Sequence, residues 1–121
     1  MLQTAHDTAA SSARARVIAE LAAKVRARAN AAGGWAYYPD KSSRIEPTCW
    51  ALNALPDLDA ADLQRHRAFL ERCRRPDGLF VDQPAPANYS HNAMALLALL
   101  QQPALDGHAS AQAVYFTARS F

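Results

Sequence analysis

Three aspartates lie close together in the segment Asp57-Leu58-Asp59-Ala60-Ala61-Asp62. Clustered carboxylates are suited to general acid catalysis or to holding a divalent cation. The same spacing also fits the start of a helix. An aspartate at the N-cap accepts a backbone N–H group, and an aspartate three residues later faces the positive end of the helix dipole. We favour this structural interpretation, with Asp59 as the N-cap and Asp62 in the first turn.

The second group suited to chemistry is an aromatic cluster, Trp35, Tyr37 and Tyr38, which follows the double glycine at positions 33 and 34. Aromatic side chains in a loop either fill the gap between neighbouring helix pairs or line a ligand pocket. We favour the packing role. His66 lies on the apolar stripe of a predicted helix, and we expect it at the edge of the core rather than as a metal ligand.

The composition favours one folded domain. Half of the 121 residues are hydrophobic and 20% are charged, which is typical of a chain with a core. The net charge is only +2 and the arginines are scattered, so we expect no nucleic-acid partner. Two cysteines make no disulfide framework, the first residues lack the apolar core of a signal peptide, and the longest apolar run, 93–100, is too short to span a membrane. We therefore expect a cytoplasmic protein without a transmembrane segment.

Helical spacing of the apolar residues predicts an all-α fold. We expect a flexible tail over residues 1–10, followed by a helix that Ser11 or Ser12 caps. The apolar stripe of that helix contains Val17, Ile18, Leu21, Ala22 and Val25. Further helices are predicted over about 47–55, 60–74, 88–101 with Asn88 or Ser90 as the cap, and 102–121. The helices over 47–55 and 88–101 are apolar nearly all round, which predicts burial on most sides.

A repeat of 44 residues relates two parts of the chain. Gly34 plus 44 is Gly78, and the same step takes the apolar run 50–55 to the run 94–99 without a gap. A period of this length is typical of stacked helix pairs, in which one unit cannot bury its apolar face alone. We therefore expect two units, over about 11–55 and 56–101, each with an outer helix, a turn and an inner helix, and a half unit over 102–121.

The repeated segments resemble a known family. The runs Gly33-Gly34-Trp35-Ala36-Tyr37-Tyr38-Pro39, Ser43-Arg44-Ile45-Glu46-Pro47-Thr48-Cys49-Trp50-Ala51-Leu52 and Arg74-Arg75-Pro76-Asp77-Gly78-Leu79-Phe80 resemble the repeat of the prenyltransferase and squalene cyclase superfamily. Arg74 takes the place of a usual Gln, and Phe80 that of a usual Trp. The resemblance covers about residues 30–101. It implies an α/α toroid around an apolar cavity for an isoprenoid chain, and about two and a half units make an incomplete barrel.

The resemblance also indicates where chemistry would lie. The cyclases of this superfamily use an Asp-x-Asp-Asp acid motif, which Asp57-Leu58-Asp59-Ala60 does not reproduce, so no catalytic acid is carried over. Protein prenyltransferases hold zinc with Asp, Cys and His. Cys49 occupies the place of that Cys and His91 begins a later inner helix, while Pro47 stands where the Asp would be. Zinc on Cys49, His91 and Glu46 is therefore kept only as an alternative, and we predict no cofactor.

The expected ligand cavity brings together residues near the starts of the inner helices. Its expected residues are Trp35, Tyr37, Arg44, Glu46, Cys49 and Trp50. We expect Arg44 and Glu46 to pair with each other or with a neighbouring repeat, and Cys49 is also explained as a small apolar residue in a helix interface.

Two functions follow from these expectations. The first is a fragment of an isoprenoid-handling enzyme, which we do not expect to be catalytic alone and which self-association or a neighbouring repeat-containing chain would complete. The alternative is a noncatalytic helical-repeat module that binds a protein partner or a lipid on the surfaces that the open ends expose.

Overall fold

The computed structural model describes residues 2–100, and the side chains of residues 8–100. This part of the chain forms four helices, α1 (Leu2–Ala27), α2 (Ile45–Ala54), α3 (Ala60–Arg72) and α4 (Tyr89–Leu100). Within residues 2–100 the extended backbone is limited to two isolated bridges, so the all-α prediction is confirmed. The helix predicted over 102–121 lies outside the described residues.

The helix starts follow from local chemistry, with one difference from prediction. The Asp59 carboxylate accepts the Asp62 N–H group at 2.8 Å and caps α3, as predicted. Asn88 accepts the His91 N–H group at 3.0 Å and so caps α4, which selects Asn88 over Ser90. In contrast, α1 begins at Leu2, and Ser11 lies inside the helix instead of capping it. Alanines at positions 5, 9 and 10 favour helix and extend it toward the amino end.

The core lies between α2 and α4, the two helices that were predicted to be inner helices. α2 packs against α4 and also against α3, and the largest fully buried apolar side chains are Ile45, Leu70, Phe80 and Leu99. The apolar stripe of α1 divides into two parts. Ala22 and Val25 pack against the core, whereas Val17, Ile18 and Leu21 are each more than half exposed.

The loop between α1 and α2, called the first loop, and the loop between α3 and α4, called the second loop, share one pattern of hydrogen bonds. Trp35 lies two positions after Gly33, Phe80 lies two positions after Gly78, and both aromatic residues are buried. The backbone N–H group of each donates to a side chain of the inner helix that follows. Trp35 N–H donates to Thr48 Oγ1 at 2.9 Å, and Phe80 N–H donates to Asn92 Oδ1 at 2.6 Å. The Asn92 amide also donates to the Phe80 carbonyl at 2.9 Å, and Thr48 Oγ1 lies 3.4 Å from the Trp35 carbonyl.

These bonds correct the register of the repeat at the turn. Gly33 N–H donates to the Asn30 carbonyl, and Gly78 N–H donates to the Arg75 carbonyl, so Gly33 is the counterpart of Gly78. The gapless alignment, which set Gly34 opposite Gly78, was therefore wrong by one position at the turn. It holds in the inner helices, which begin at Ile45 and Tyr89, 44 residues apart. The first loop has one extra residue between the buried aromatic and the helix.

His66 joins α3 to the first loop. Its Nδ1 accepts the Gly34 N–H group at 2.9 Å, and its ring lies 4.1 Å from the Trp35 ring. Gly33 has a φ of +108°, and a Cβ atom there would collide with the Arg65 carbonyl oxygen of α3. His66 is 1% exposed, so the expectation of a core histidine is confirmed, and it has the added role of a clamp between α3 and the first loop.

This clamp predicts acid sensitivity. Burial lowers the pKa of His66 below its ordinary 6.5, and the Arg65 guanidinium acts in the same direction. His66 therefore binds a proton more readily in the unfolded chain than in the folded protein. The clamp makes its full contribution to the free energy of unfolding above about pH 6.5. Its contribution falls as the pH drops below that value, by at most about 1.4 kcal/mol per pH unit. Urea unfolding between pH 7.5 and 5 measures this loss.

The matched variants separate His66 from other titrating groups. His66→Asn is expected to be less stable at neutral pH and to show a smaller decline toward pH 5, because it no longer titrates. His91→Asn leaves the His66 contacts in place and should keep the decline. Equal declines in the parent protein and in His66→Asn would show that other groups cause the acid sensitivity.

Candidate functional site

A polar cluster joins the amino ends of α2 and α4. Glu46 lies in the first turn of α2, and its carboxylate accepts the Tyr37 hydroxyl at 2.9 Å through Oε1. Its other oxygen, Oε2, lies 3.2 Å from Nε2 of His91, which follows the α4 cap. This carboxylate therefore connects the first loop to both inner helices, and it brings together three residues that the sequence marked for chemistry.

Arg44 pairs with the second loop instead of with Glu46. Its Nε donates to Asp82 Oδ2 at 3.0 Å, and the same oxygen accepts the Ile45 N–H group at 2.7 Å. The bond to Asp82 raises the pKa of Arg44. Asp82 is buried, and it caps α2 from the neighbouring unit, which selects pairing with a neighbour from the two predicted alternatives. Sequence reasoning missed Asp82, because a single aspartate in a proline-containing loop carries no spacing signal.

An apolar cleft of about 490 Å³ lies near the cluster, between the end of α1, the first loop and α2. We call it the α1–α2 cleft. It is lined by Val25, Arg28, Trp35, Ala36, Tyr37, Pro47, Trp50, Ala51 and Ala54.

A second apolar cleft, of about 220 Å³, lies between α2 and α4 and is called the α2–α4 cleft. Its lining residues are Cys49, Trp50, Asn53, Met94, Leu97 and Ala98. Trp50 lines both clefts and is 61% exposed, and Leu97 is 57% exposed. The inner helices were predicted to be buried on most sides. Each helix has five buried residues, in line with this prediction, and the side that carries Trp50 and Leu97 is left open by the described elements.

A third opening, of about 350 Å³, lies beside the α1–α2 cleft, with which it shares Tyr37. We call it the polar opening, after the Lys41, Ser42, Arg44 and Gln83 side chains in its walls. Its walls are formed by Tyr37, Tyr38, Lys41, Ser42, Arg44, Gln83 and Pro84. The expected cavity residues therefore divide among three openings. Trp35, Tyr37 and Trp50 line the α1–α2 cleft, Cys49 lines the α2–α4 cleft and Arg44 lines the polar one. Glu46 holds Tyr37 in place.

The alternative zinc ligands meet only in part. Glu46 and His91 are in contact, but Cys49 is buried in the core, where burial raises the pKa of its thiol to about 12. A cysteine binds zinc as a thiolate, and the buried environment of Cys49 disfavours its thiolate form. In the part of the chain whose side chains are described, no group of three or more His, Cys, Asp or Glu residues is close enough to hold a metal ion.

The aspartate cluster before α3 has a structural role. Asp59 is the N-cap, and Asp62 forms an ion pair with Arg65 at 3.3 Å on the same helix. The structural interpretation of these carboxylates is therefore confirmed for Asp59 and Asp62.

Comparison of the chain with protein-family models, with curated proteins and with solved structures found no match. Among the helices described for residues 2–100, none has the length and apolar character needed to cross a membrane.

The Asp82 contact predicts a measurable loss of stability. In Asp82→Asn the amide oxygen can still accept the Ile45 N–H group, but the charge that faces Arg44 is lost. We expect the free energy of unfolding in urea to fall by about 1–2 kcal/mol, because hydrogen bonds to charged groups are stronger than neutral ones. The matched control is Asp77→Asn, whose partner Arg75 forms an exposed ion pair, and it should lose less than about 1 kcal/mol. Equal losses would contradict the capping role.

The two thiols are expected to differ in reactivity. Burial raises the pKa of Cys49 to about 12 and that of Cys73 to about 11, and Cys73 is only partly buried. The thiolate is the reactive form, so both should react slowly with a disulfide reagent at pH 8, with Cys73 at least about tenfold faster. Cys49→Ala and Cys73→Ala, each with one thiol left, give the two rates, and unfolding in urea should make them equal. A faster Cys49 in the folded protein would contradict its placement.

Proposed function

We propose that this chain is an incomplete repeat protein of the prenyltransferase and squalene cyclase type. In this proposal it binds an isoprenoid chain on the apolar surface of its inner helices and does not catalyse a reaction by itself. The observation that carries the proposal is Trp50, a large aromatic residue on an inner helix that is 61% exposed between two apolar clefts.

The geometry of the clefts supports a long apolar ligand. The α1–α2 cleft and the α2–α4 cleft adjoin along Trp50, and the wall continues to Met94 and Leu97 on α4. Contiguous apolar surface of this kind marks a binding site, because its exposure to water is unfavourable. The volume of about 490 Å³ lies within the range of about 300–1,000 Å³ that is usual for small-molecule pockets.

The repeated hydrogen bonds support the toroid-type arrangement. Thr48 and Asn92 occupy corresponding positions of α2 and α4, and each satisfies the backbone of the buried aromatic in its own loop. His66 then attaches the outer helix of the second unit to the loop of the first. Units joined in this way stack in series and leave apolar surface at both ends of an incomplete array. A second copy or another repeat-containing chain would complete the ligand site.

A second candidate function is a noncatalytic module that binds a protein partner or a lipid surface. The observation that favours it is the amino-terminal part of the α1 stripe, where Val17, Ile18 and Leu21 are each more than half exposed. This stripe lies apart from the residues that line the clefts. Substitution of these three residues by Ser would therefore weaken partner binding under the second proposal and leave isoprenoid binding unchanged under the first.

The two tryptophans provide a direct test of the first proposal. Trp35 is 4% exposed and Trp50 is 61% exposed, so the long-wavelength part of the emission should come from Trp50. Titration with farnesol, an uncharged isoprenoid, is expected to shift that emission to shorter wavelength as Trp50 loses contact with water. Trp50→Phe should abolish the shift. Calorimetry should show about tenfold weaker farnesol binding for Trp50→Ala, since a large aromatic contributes at least about 1.4 kcal/mol of apolar contact.

The matched control is Tyr89→Ala, which removes another aromatic residue with 61% exposure that lines none of the three openings. Its farnesol affinity should equal that of the parent protein. Equal losses in the two variants, or no farnesol binding by the parent protein, would overturn the proposal.

A further inference from the structure

Arg28 is a positively charged residue on the wall of the α1–α2 cleft. It follows the end of α1, lines the α1–α2 cleft and is exposed. Its backbone N–H group donates to the Val25 carbonyl, but its guanidinium enters none of the ion pairs or side-chain hydrogen bonds found among residues 8–100. It is also the one charged residue among those that line this cleft.

The other polar groups on this wall are largely satisfied. The Trp35 indole N–H group donates to the Val25 carbonyl at 2.7 Å, and the Tyr37 hydroxyl donates to Glu46. Arg44, whose guanidinium carbon lies 5.7 Å from the centre of the Tyr37 ring, is neutralised by Asp82. Arg28 is therefore left as the group with which a charged ligand in this cleft would pair.

We propose that the α1–α2 cleft binds a linear amphiphile that carries a single carboxylate, with the carboxylate on Arg28 and the apolar chain lying across Trp50. This inference rests on the proposed binding of an apolar chain and adds the class of head group. One guanidinium matches one carboxylate through two parallel hydrogen bonds. A ligand that complements the charge of this cleft thus carries one negative charge, which lies at the end of α1 next to an apolar wall.

The surroundings disfavour a head group with more negative charge. The Glu46 carboxylate accepts the hydroxyl of Tyr37, which lines the cleft, and the carboxyl end of α1 carries the negative end of the helix dipole. Both would repel the additional charges of a diphosphate. Lys41 lines the polar opening on the other side of Tyr37 and is absent from the wall of the α1–α2 cleft.

Three probes with the same fifteen-carbon chain test the head group by calorimetry on the whole chain: farnesol, farnesoic acid and farnesyl diphosphate, all below the concentrations at which they form micelles. We expect farnesoic acid to bind about tenfold more tightly than farnesol, which corresponds to about 1.4 kcal/mol for a charge-assisted contact that remains partly exposed. The diphosphate should bind no more tightly than the acid. The preference for the acid should shrink as salt is raised, because exposed charges are screened.

Arg28→Gln should lower the affinity for farnesoic acid to that for farnesol and leave the farnesol affinity unchanged. Arg26→Gln is the matched control, since Arg26 is exposed in the last turn of the same helix and does not line the cleft. It should keep the preference for the acid. Equal effects of the two variants would show a general attraction to positive charge and would overturn the assignment to Arg28.

The outcomes distinguish this inference from the function on which it rests. Binding of farnesol with no preference for the acid overturns the carboxylate site and leaves the proposed function standing. Tighter binding of the diphosphate than of the acid overturns the single-charge head group. Failure of all three probes to bind overturns the proposed function together with the inference.

Discussion

A buried loop backbone is the constraint on which the rest of this structure depends. Trp35 and Phe80 bury their rings from loops, and their backbone N–H and C=O groups enter the core with them. Buried backbone groups without partners cost several kcal/mol in total, so a partner must reach them from a neighbouring element. Thr48 and Asn92 supply those partners from α2 and α4. Each inner helix is thereby fastened to the loop that precedes it.

The remaining polar joints build on that attachment. Once the first loop is held against α2, Gly34 can donate to His66, and Tyr37 can reach Glu46 at the start of α2. Asp82 and His91 complete the arrangement from the second unit, where they contact Arg44 and Glu46. These polar contacts between distant segments lie at the amino ends of α2 and α4 and at His66 of α3. Lateral packing of apolar residues then fills the space between α2, α3 and α4.

This division leaves a polar, hydrogen-bonded end beside an open apolar side. Hydrogen bonds and ion pairs use the loops and helix starts, whereas Trp50, Leu97 and the Val17, Ile18 and Leu21 stripe remain in contact with water. A free energy cost of that kind favours association with an apolar ligand or another chain. The clefts beside Trp50 are therefore where the proposed ligand would bind, and Arg28 is the one charged residue among those that line the α1–α2 cleft.

Local signals in the sequence were sufficient for the helical elements and for some of their caps. Asp59 and Asn88 precede their helices at capping distance, Pro-Asp-Gly at 76–78 forms a turn, and the spacing of apolar residues gives α2, α3 and α4 within a few residues. These features depend on neighbours a few positions apart, so they can be inferred from residue order. The period of 44 residues was also visible, because the inner helices repeat without a gap.

Contacts between distant segments were beyond such inference. The partner of Arg44 is 38 residues away at Asp82, and the partner of Gly34 is 32 residues away at His66. The register of the repeat at the turn depended on which glycine donates its N–H group to the carbonyl three residues earlier. The number of residues between glycines did not determine it. The exposure of Trp50 and of the α1 stripe depends on which elements are present to cover them. An apolar residue looks the same in a sequence whether its helix face is covered or open, and only the packing of the whole chain distinguishes the two.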